Sequence, residues 1–250
     1  MNNLIKKIKN RILNLNNTNF NTKISNYTNY KIKKSNSYIH VEDAKNISNV
    51  WDECSQEINR IFFEDNSNFF KNDLVKIHLA MPQPSLANNI LRELSNDNYG
   101  MRLLNLIQDS PMGSPELLQN FPLLSTTTLT HIANIHNIHE ELNFDVTKRI
   151  NFIDFGGGFG GLGRAILNCN KLNKVTIIDI PKMLEVQNAY IDNSSFNSEN
   201  ASFVTVDQLP SEEYFDVFNA TFSLSESPLY VRDKIKNYLK TNVESFFIVF

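Results

Sequence analysis

The stretch IDFGGGFGGLG, residues 153–163, holds six of the eight glycines in the 250-residue chain. A sequence that avoids glycine elsewhere and gathers it once needs a backbone there that other residues adopt poorly, or a ligand close against it. Just before the cluster lies the short apolar run RINFIDF, and just after it GLGRAILNCN, long enough for a helix. Further along, KVTIIDI, ASFVTV, FDVFNATF and ESFFIVF are again short, apolar and rich in β-branched or aromatic residues, and PKMLEVQNAYI and SPLYVRDKIKNYL lie between them at helical length. Continuous apolar strands alternating with helices predict a parallel sheet covered on both faces. Right-handed crossovers then make it an α/β, Rossmann-like doubly wound sheet. Ligands of such sheets bind beyond the carboxyl ends of the strands, where the glycine cluster falls.

Upstream the pattern is helical. Ile47, Val50, Trp51, Cys54, Ile58, Ile61 and Phe62 recur every three or four residues and predict an amphipathic helix over 41–64. Helices are also expected over 72–80, over 85–94 after Pro82 and Pro84, and over 126–141. The chain thus divides into a basic Asn/Lys-rich arm (1–36), a helical cap or substrate region (37–148) and a Rossmann-like cofactor-binding domain (149–250). In the arm, Leu4, Ile5, Ile8, Ile12 and Leu15 have helical spacing. A basic amphipathic helix of that kind can lie on an anionic membrane; packing on the domain is the preferred reading.

Composition excludes several classes. The net charge of −3 conceals eight Lys/Arg and no acid through Lys34, which leaves −11 for the rest, so the folded part is acidic and unsuited to nucleic acid. Two cysteines, Cys54 and Cys169, provide neither a disulfide framework nor a metal-ligand set, as expected of a reduced, cytoplasmic protein. No apolar run is long enough to span a membrane, and MNNLIKKIKNRILNL lacks the continuous apolar stretch of a secretory signal.

The glycine cluster satisfies G-x-G-x-x-G twice, as Gly156-Gly158-Gly161 and as Gly158-Gly160-Gly163, and Asp179 follows at the end of the next strand. Alone, this fits a dinucleotide site in which a helix N-terminus meets a pyrophosphate and the acid meets a ribose, hence a nicotinamide-dependent oxidoreductase. Asp154, two residues before the first glycine, shifts the reading. Its carboxylate repels a pyrophosphate and attracts a cofactor with a cationic amino or sulfonium group. Asp179 still suits ribose hydroxyls, and Asp207, at the end of ASFVTV, can accept from an adenine amino group. Three acids at three successive strand ends describe a site for an adenosine carrying a cationic amino acid.

In these features the chain resembles the class I S-adenosylmethionine-dependent methyltransferases. The combination of IDFGGGFGGLGRAIL, TIIDIPKMLEVQNAYI and FDVFNATFSLSESP is similar to the sugar O-methyltransferase family of bacterial surface-polysaccharide loci, over roughly residues 110–250. The resemblance implies S-adenosylmethionine as cofactor and S-adenosylhomocysteine as product. It assigns Asp154, Gly156, Gly158 and Gly160 to the methionine-binding loop, Asp179 with its neighbour Ile180 to the ribose side, and Asp207 to adenine. The acceptor it implies is a sugar, nucleotide-activated in the cytoplasm, such as a GDP-heptose for capsule or other surface polysaccharide. Methyltransferases for other small hydroxyls or amines, the NAD-dependent oxidoreductase and a non-catalytic binding module remain as alternatives.

Transfer to a hydroxyl requires alignment and a base. NATFSLSES, after the fourth strand, offers Asn219, Thr221, Ser223 and Glu226. Glu226 is the leading candidate for the base or for a ligand of the acceptor hydroxyl, the alternative being that it caps the helix near Pro228. Asn219 and Ser223 either orient cofactor or acceptor, or satisfy loop backbone. His131 is a second candidate base; with His136 and His139 it shares a helical segment, and core or solvated roles are preferred to a metal site. Tyr230 and Arg232 either contact a substrate diphosphate or belong to an ordinary amphipathic helix. A complete class I sheet has two further strands after ESFFIVF, here expected to be missing, and the open edge would favour a homo-oligomer.

Overall fold

The computed structural model describes residues 43–80 and 84–249, with backbone alone at 43–50 and 84–86. The arm and its expected helix at Leu4–Leu15 lie outside the described residues. Four helices come first: α1 (Asp43–Glu64), α2 (Asp73–His78), α3 (Pro84–Ser95) and α4 (Asn98–Leu106). A small antiparallel hairpin of β1 (Leu117–Leu118) and β2 (Phe121–Ser125) leads into α5 (Thr126–Leu142). Local chemistry marks the boundaries. Asn72 accepts from the Leu74 amide at 2.9 Å to start α2, and Asp97 accepts from Gly100 at 2.7 Å to start α4. Ser125 caps α5 through the Thr128 amide, and Asn143 ends it in the left-handed region. The sequence reading lacked α4 and the hairpin.

The remainder alternates as expected: β3 (Asn151–Phe155), α6 (Gly161–Cys169), β4 (Lys174–Ile178), α7 (Pro181–Ser194), β5 (Ala201–Val204), β6 (Phe215–Thr221), α8 (Leu229–Asn242) and β7 (Val243–Val249). The five strands form one parallel sheet in the order β5-β4-β3-β6-β7. The order runs outward both ways from β3, so the crevice of a doubly wound sheet opens between β3 and β6, at their carboxyl ends.

Side-chain alternation covers both faces. Ile153 and Phe155 of β3 share a buried cluster with Val231, Ile235 and Tyr238 of α8. On the other face, Val175 and Ile177 of β4 come so close to α6 that a Cβ at Gly163 would lie 3.2 Å from each. Phe152, Ile153, Val217 and Phe218 are fully buried, which is why these strands read as unbroken apolar runs. The described residues from 44 onward form one compact unit.

Asn173, completely buried, joins the entry of β3 to the end of α6. Its amide donates to the Val146 and Ile166 carbonyls, both at 2.8 Å, and its oxygen accepts from the Ile150 amide at 3.1 Å. A buried group left unpaired costs about 1–3 kcal/mol. Asn173→Ala should therefore destabilise the fold by at least about 2 kcal/mol, as a lower urea midpoint; an unchanged midpoint would contradict the role given to this side chain.

Candidate functional site

The turn from β3 to α6 needs glycine for two separate reasons. Gly156 has φ +71°, donates its N–H to the Ile178 carbonyl at 2.8 Å, and leaves no room for a side chain, since a Cβ would lie 2.2 Å from that of Ser223. Gly158, at φ +59°, is less crowded, and a Cβ there would meet Leu79 Cδ2 at an ordinary contact distance of 3.8 Å. Gly160 precedes the first turn of α6 and accepts from the Arg164 amide at 2.9 Å. The first glycine allows close packing of the loops, and the second takes a backbone conformation that other residues adopt poorly.

Beneath the turn are two acids. Asp154 on β3 stands opposite Asn219 on β6 in the parallel register, and Asn219 Nδ2 donates to Asp154 Oδ1 at 2.7 Å. Both residues are buried. Asp154 Oδ2 is buried without a hydrogen-bond partner, 3.1 Å from where a Cβ on Gly157 would stand. Burial pushes the Asp154 carboxyl up to about 7; Asn219 pulls against the rise and the charge of Asp179 adds to it. Asp179, just beyond β4, accepts from the Ile180 amide at 2.8 Å and from Gln187 Nε2 at 2.6 Å. Its carboxyl is pushed up to about 6, again by burial, against the pull of those two donors. Gln187 also donates to the Gly158 carbonyl at 2.9 Å, tying α7 to the turn, and its own Oε1 is buried without a partner. Sequence reading missed Gln187; its one signal was a polar residue eight positions after Asp179, on a face of α7 otherwise buried by Met183, Val186, Tyr190 and Ile191.

The other candidate residues are placed differently. Asp207 sits in a short 3₁₀ turn after β5, exposed and ion-paired with Lys234 of α8. Glu226 does not cap α8, which begins after Pro228 without a side-chain cap; it accepts from the Trp51 indole of α1 at 3.1 Å. The Ser223 hydroxyl donates to the Phe155 carbonyl and so braces the loop against β3. Arg232 donates to the Ser227 carbonyl at 2.7 Å and the Ser225 carbonyl at 2.6 Å, which closes its own loop and leaves the guanidinium engaged with backbone. Tyr230 is exposed.

His131 Nε2 is buried without a partner, 2.6 Å from the Cβ position of Gly161, and burial with the nearby Arg164 charge pushes the imidazole down to about 4. It is therefore neutral near pH 7. His136 meets Asp97 at 3.0 Å, and His139 bonds the Phe144 carbonyl and stacks on Tyr99. No group of three or more metal-ligating side chains occurs among the described residues, and no described helix is long and apolar enough to cross a membrane. A cavity of about 390 Å³ adjoins the turn at Phe159; Phe70, Leu91, Asn88, Gln119, Asn120 and Thr126 are among its lining.

No protein-family model matches the chain, and no curated protein matches it. Solved structures to which it is similar include a human methyltransferase 10 domain containing protein (13% identity, 66% of this chain and 78% of that one, TM-score 0.39). Others are the mitomycin 7-O-methyltransferase MmcR (14%, 71% and 57%, TM-score 0.36) and the glycopeptide N-methyltransferase MtfA complexed with sinefungin (12%, 46% and 48%, TM-score 0.37). The chain spans about half of MtfA and 35% of the pyocyanin biosynthetic protein PhzM. The fold assignment rests on the strand order and register of the sheet itself.

The two raised carboxyls make the unliganded protein sensitive to pH. A carboxyl raised in the fold contributes fully below its unfolded value near 3.8, and the contribution is lost as pH rises through about 6 for Asp179 and about 7 for Asp154. Melting temperature should fall between pH 5 and 8. Asp154→Asn, neutral at every pH, should flatten the upper part of that fall; an unchanged profile would show that Asp154 does not titrate in this range.

Proposed function

We propose that the chain is an S-adenosylmethionine-dependent O-methyltransferase acting on a sugar hydroxyl, carried by a nucleotide-activated hexose or heptose and destined for a surface polysaccharide. The observation that carries this reading is the Asp154 oxygen buried without a partner under the glycine turn. An unpaired buried carboxylate is costly and marks a binding site for a cation. It disfavours the pyrophosphate of a dinucleotide and suits the ammonium of a methionine. Asp179, partly exposed at the next strand end, suits ribose hydroxyls.

The cofactor supplies a methyl group already activated on a sulfonium. The protein then has three tasks: to hold the cofactor, to align the acceptor and to remove its proton. Asn219 fixes the plane of the Asp154 carboxylate, so that Oδ2 meets the ammonium. Gln187 fixes Asp179 in the same way. Asp207 meets adenine at the price of its exposed pairing with Lys234. Glu226, at the mouth of the crevice beyond β6, takes the proton from the acceptor hydroxyl. The sugar rests on the resemblance of the three sequence segments; the cavity beside Phe159, with Lys76, Asp109 and Glu116 among amide and hydroxyl side chains, offers polar partners for sugar hydroxyls.

Thermal shift with S-adenosylhomocysteine and, separately, NAD tests the cofactor. At a hundredfold excess over Kd the former should stabilise by about 2.7 kcal/mol. Stabilisation by NAD alone would sink the reading. Binding should also be linked to proton release from Asp154, so affinity for S-adenosylhomocysteine should drop by up to about tenfold per pH unit below pH 7 and level off above it. In a screen of nucleotide sugars, Glu226→Gln should bind S-adenosylhomocysteine normally and transfer methyl groups about 10²-fold more slowly; normal turnover would remove Glu226 as the base.

A further inference from the structure

Helix α1 is fastened to both sides of the crevice. At one point the Trp51 indole N–H donates to Glu226 Oε2 at 3.1 Å, in the loop that follows β6. Eight residues on, roughly 12 Å along the helix axis, Asn59 Nδ2 donates to the Lys182 carbonyl at 3.0 Å and to Glu185 Oε2 at 2.9 Å, at the start of α7. These two anchor points belong to the elements that orient the two acids: β6 carries Asn219, which holds Asp154, and α7 carries Gln187, which holds Asp179. The ring of His78, at the end of α2, meets Trp51 edge-on with centroids 5.8 Å apart, and the next residue, Leu79, lies against the Cβ position of Gly158.

We infer that Trp51 is a positioning residue for Glu226, and that α1 crosses the cofactor crevice as a strap fastened through Trp51 on the acceptor side and Asn59 on the ribose side. The inference rests on the methyltransferase reading and on Glu226 as the acid that meets the acceptor. The donor type fits this task. A glutamate has a long, mobile side chain, and a single directed N–H restricts it; an indole is neutral and a donor only, so it orients the carboxylate without the opposing charge by which Lys or Arg would weaken it as a base. Glu226 has a second oxygen for the acceptor hydroxyl.

Trp51 is the only tryptophan, so its indole N–H gives one peak in a ¹H–¹⁵N correlation spectrum of the whole chain. Glu226→Ala should move that peak upfield and speed its exchange with water, whereas Asp207→Ala, a change at an exposed acid with no bond to Trp51, should leave it in place. Saturating S-adenosylhomocysteine should shift the wild-type peak along the same concentration course as the heat measured by calorimetry. Surface plasmon resonance should show S-adenosylhomocysteine leaving Trp51→Phe and Asn59→Ala several-fold faster than wild type. A peak indifferent to Glu226→Ala overturns the pairing. A peak that responds to Glu226→Ala but not to S-adenosylhomocysteine, with binding present in calorimetry, overturns the strap alone, as do unchanged release rates. Absence of calorimetric binding takes down the methyltransferase reading and the inference with it.

Discussion

A carboxylate buried between two central strands, satisfied on one oxygen only, is the constraint on which the arrangement of this site depends. Asp154 and Asn219 meet because β3 and β6 pair in parallel at the register that puts them side by side. A slip of one residue would turn Asn219 to the other face of the sheet and leave both Asp154 oxygens without a donor. The turn above is shaped to the same group, since a side chain at residue 157 would press on Oδ2 and on Ile177. Asp179 lies near enough to raise Asp154 further by its charge. Burying such a group lowers stability near neutral pH, and a fold retains that cost where a ligand removes it.

The loop after β6 shows how binding and bracing divide among neighbouring residues. Phe222 has φ +63°, a strained region for a large side chain, costing about 1–3 kcal/mol. Several bonds hold it there: the Phe222 amide to the Val249 carbonyl at 2.8 Å, Ser223 to the Phe155 carbonyl, and Arg232 to two carbonyls of the loop. Ser223 and Arg232 were nominated as substrate contacts for their chemistry, yet their polar atoms are engaged in keeping this bend. Glu226 is different, because its partner comes from α1 and one oxygen stays available. The bend so held leaves Glu226 within reach of the Trp51 indole.

The sheet was legible because its strands are buried on both faces. Two-sided burial demands continuous apolar runs, and the five runs agree with the observed strands to within a few residues at each end. Helix α4 was invisible because NYGMRLLNL is short and carries a glycine, and the hairpin because Phe121-Pro-Leu-Leu-Ser has no alternation to announce a strand. Among site residues, strand-end acids were readable as a class but not by environment. Asp154 and Asp207 look alike in sequence, one ending a β3 run and the other following β5, yet one is sealed in the core and the other exposed beside Lys234. Gln187 showed only as a polar residue on the buried face of α7, and Trp51, whose partner is 175 positions away, looks in local periodicity like any residue of an apolar helix face.

Asymmetry between the two acids also bears on which part of a ligand the site selects. Asp179 already has two donors, an amide and Gln187, so a pair of ribose hydroxyls adds to a carboxylate that is largely satisfied. Asp154 has one donor and an oxygen sealed from water, so it gains most from a positive charge and little from a hydroxyl. Bringing an ammonium to Oδ2 favours ionisation of Asp154 and, by neutralising its charge, eases the repulsion with Asp179. Under the function proposed above, discrimination lies with the cationic end of the cofactor.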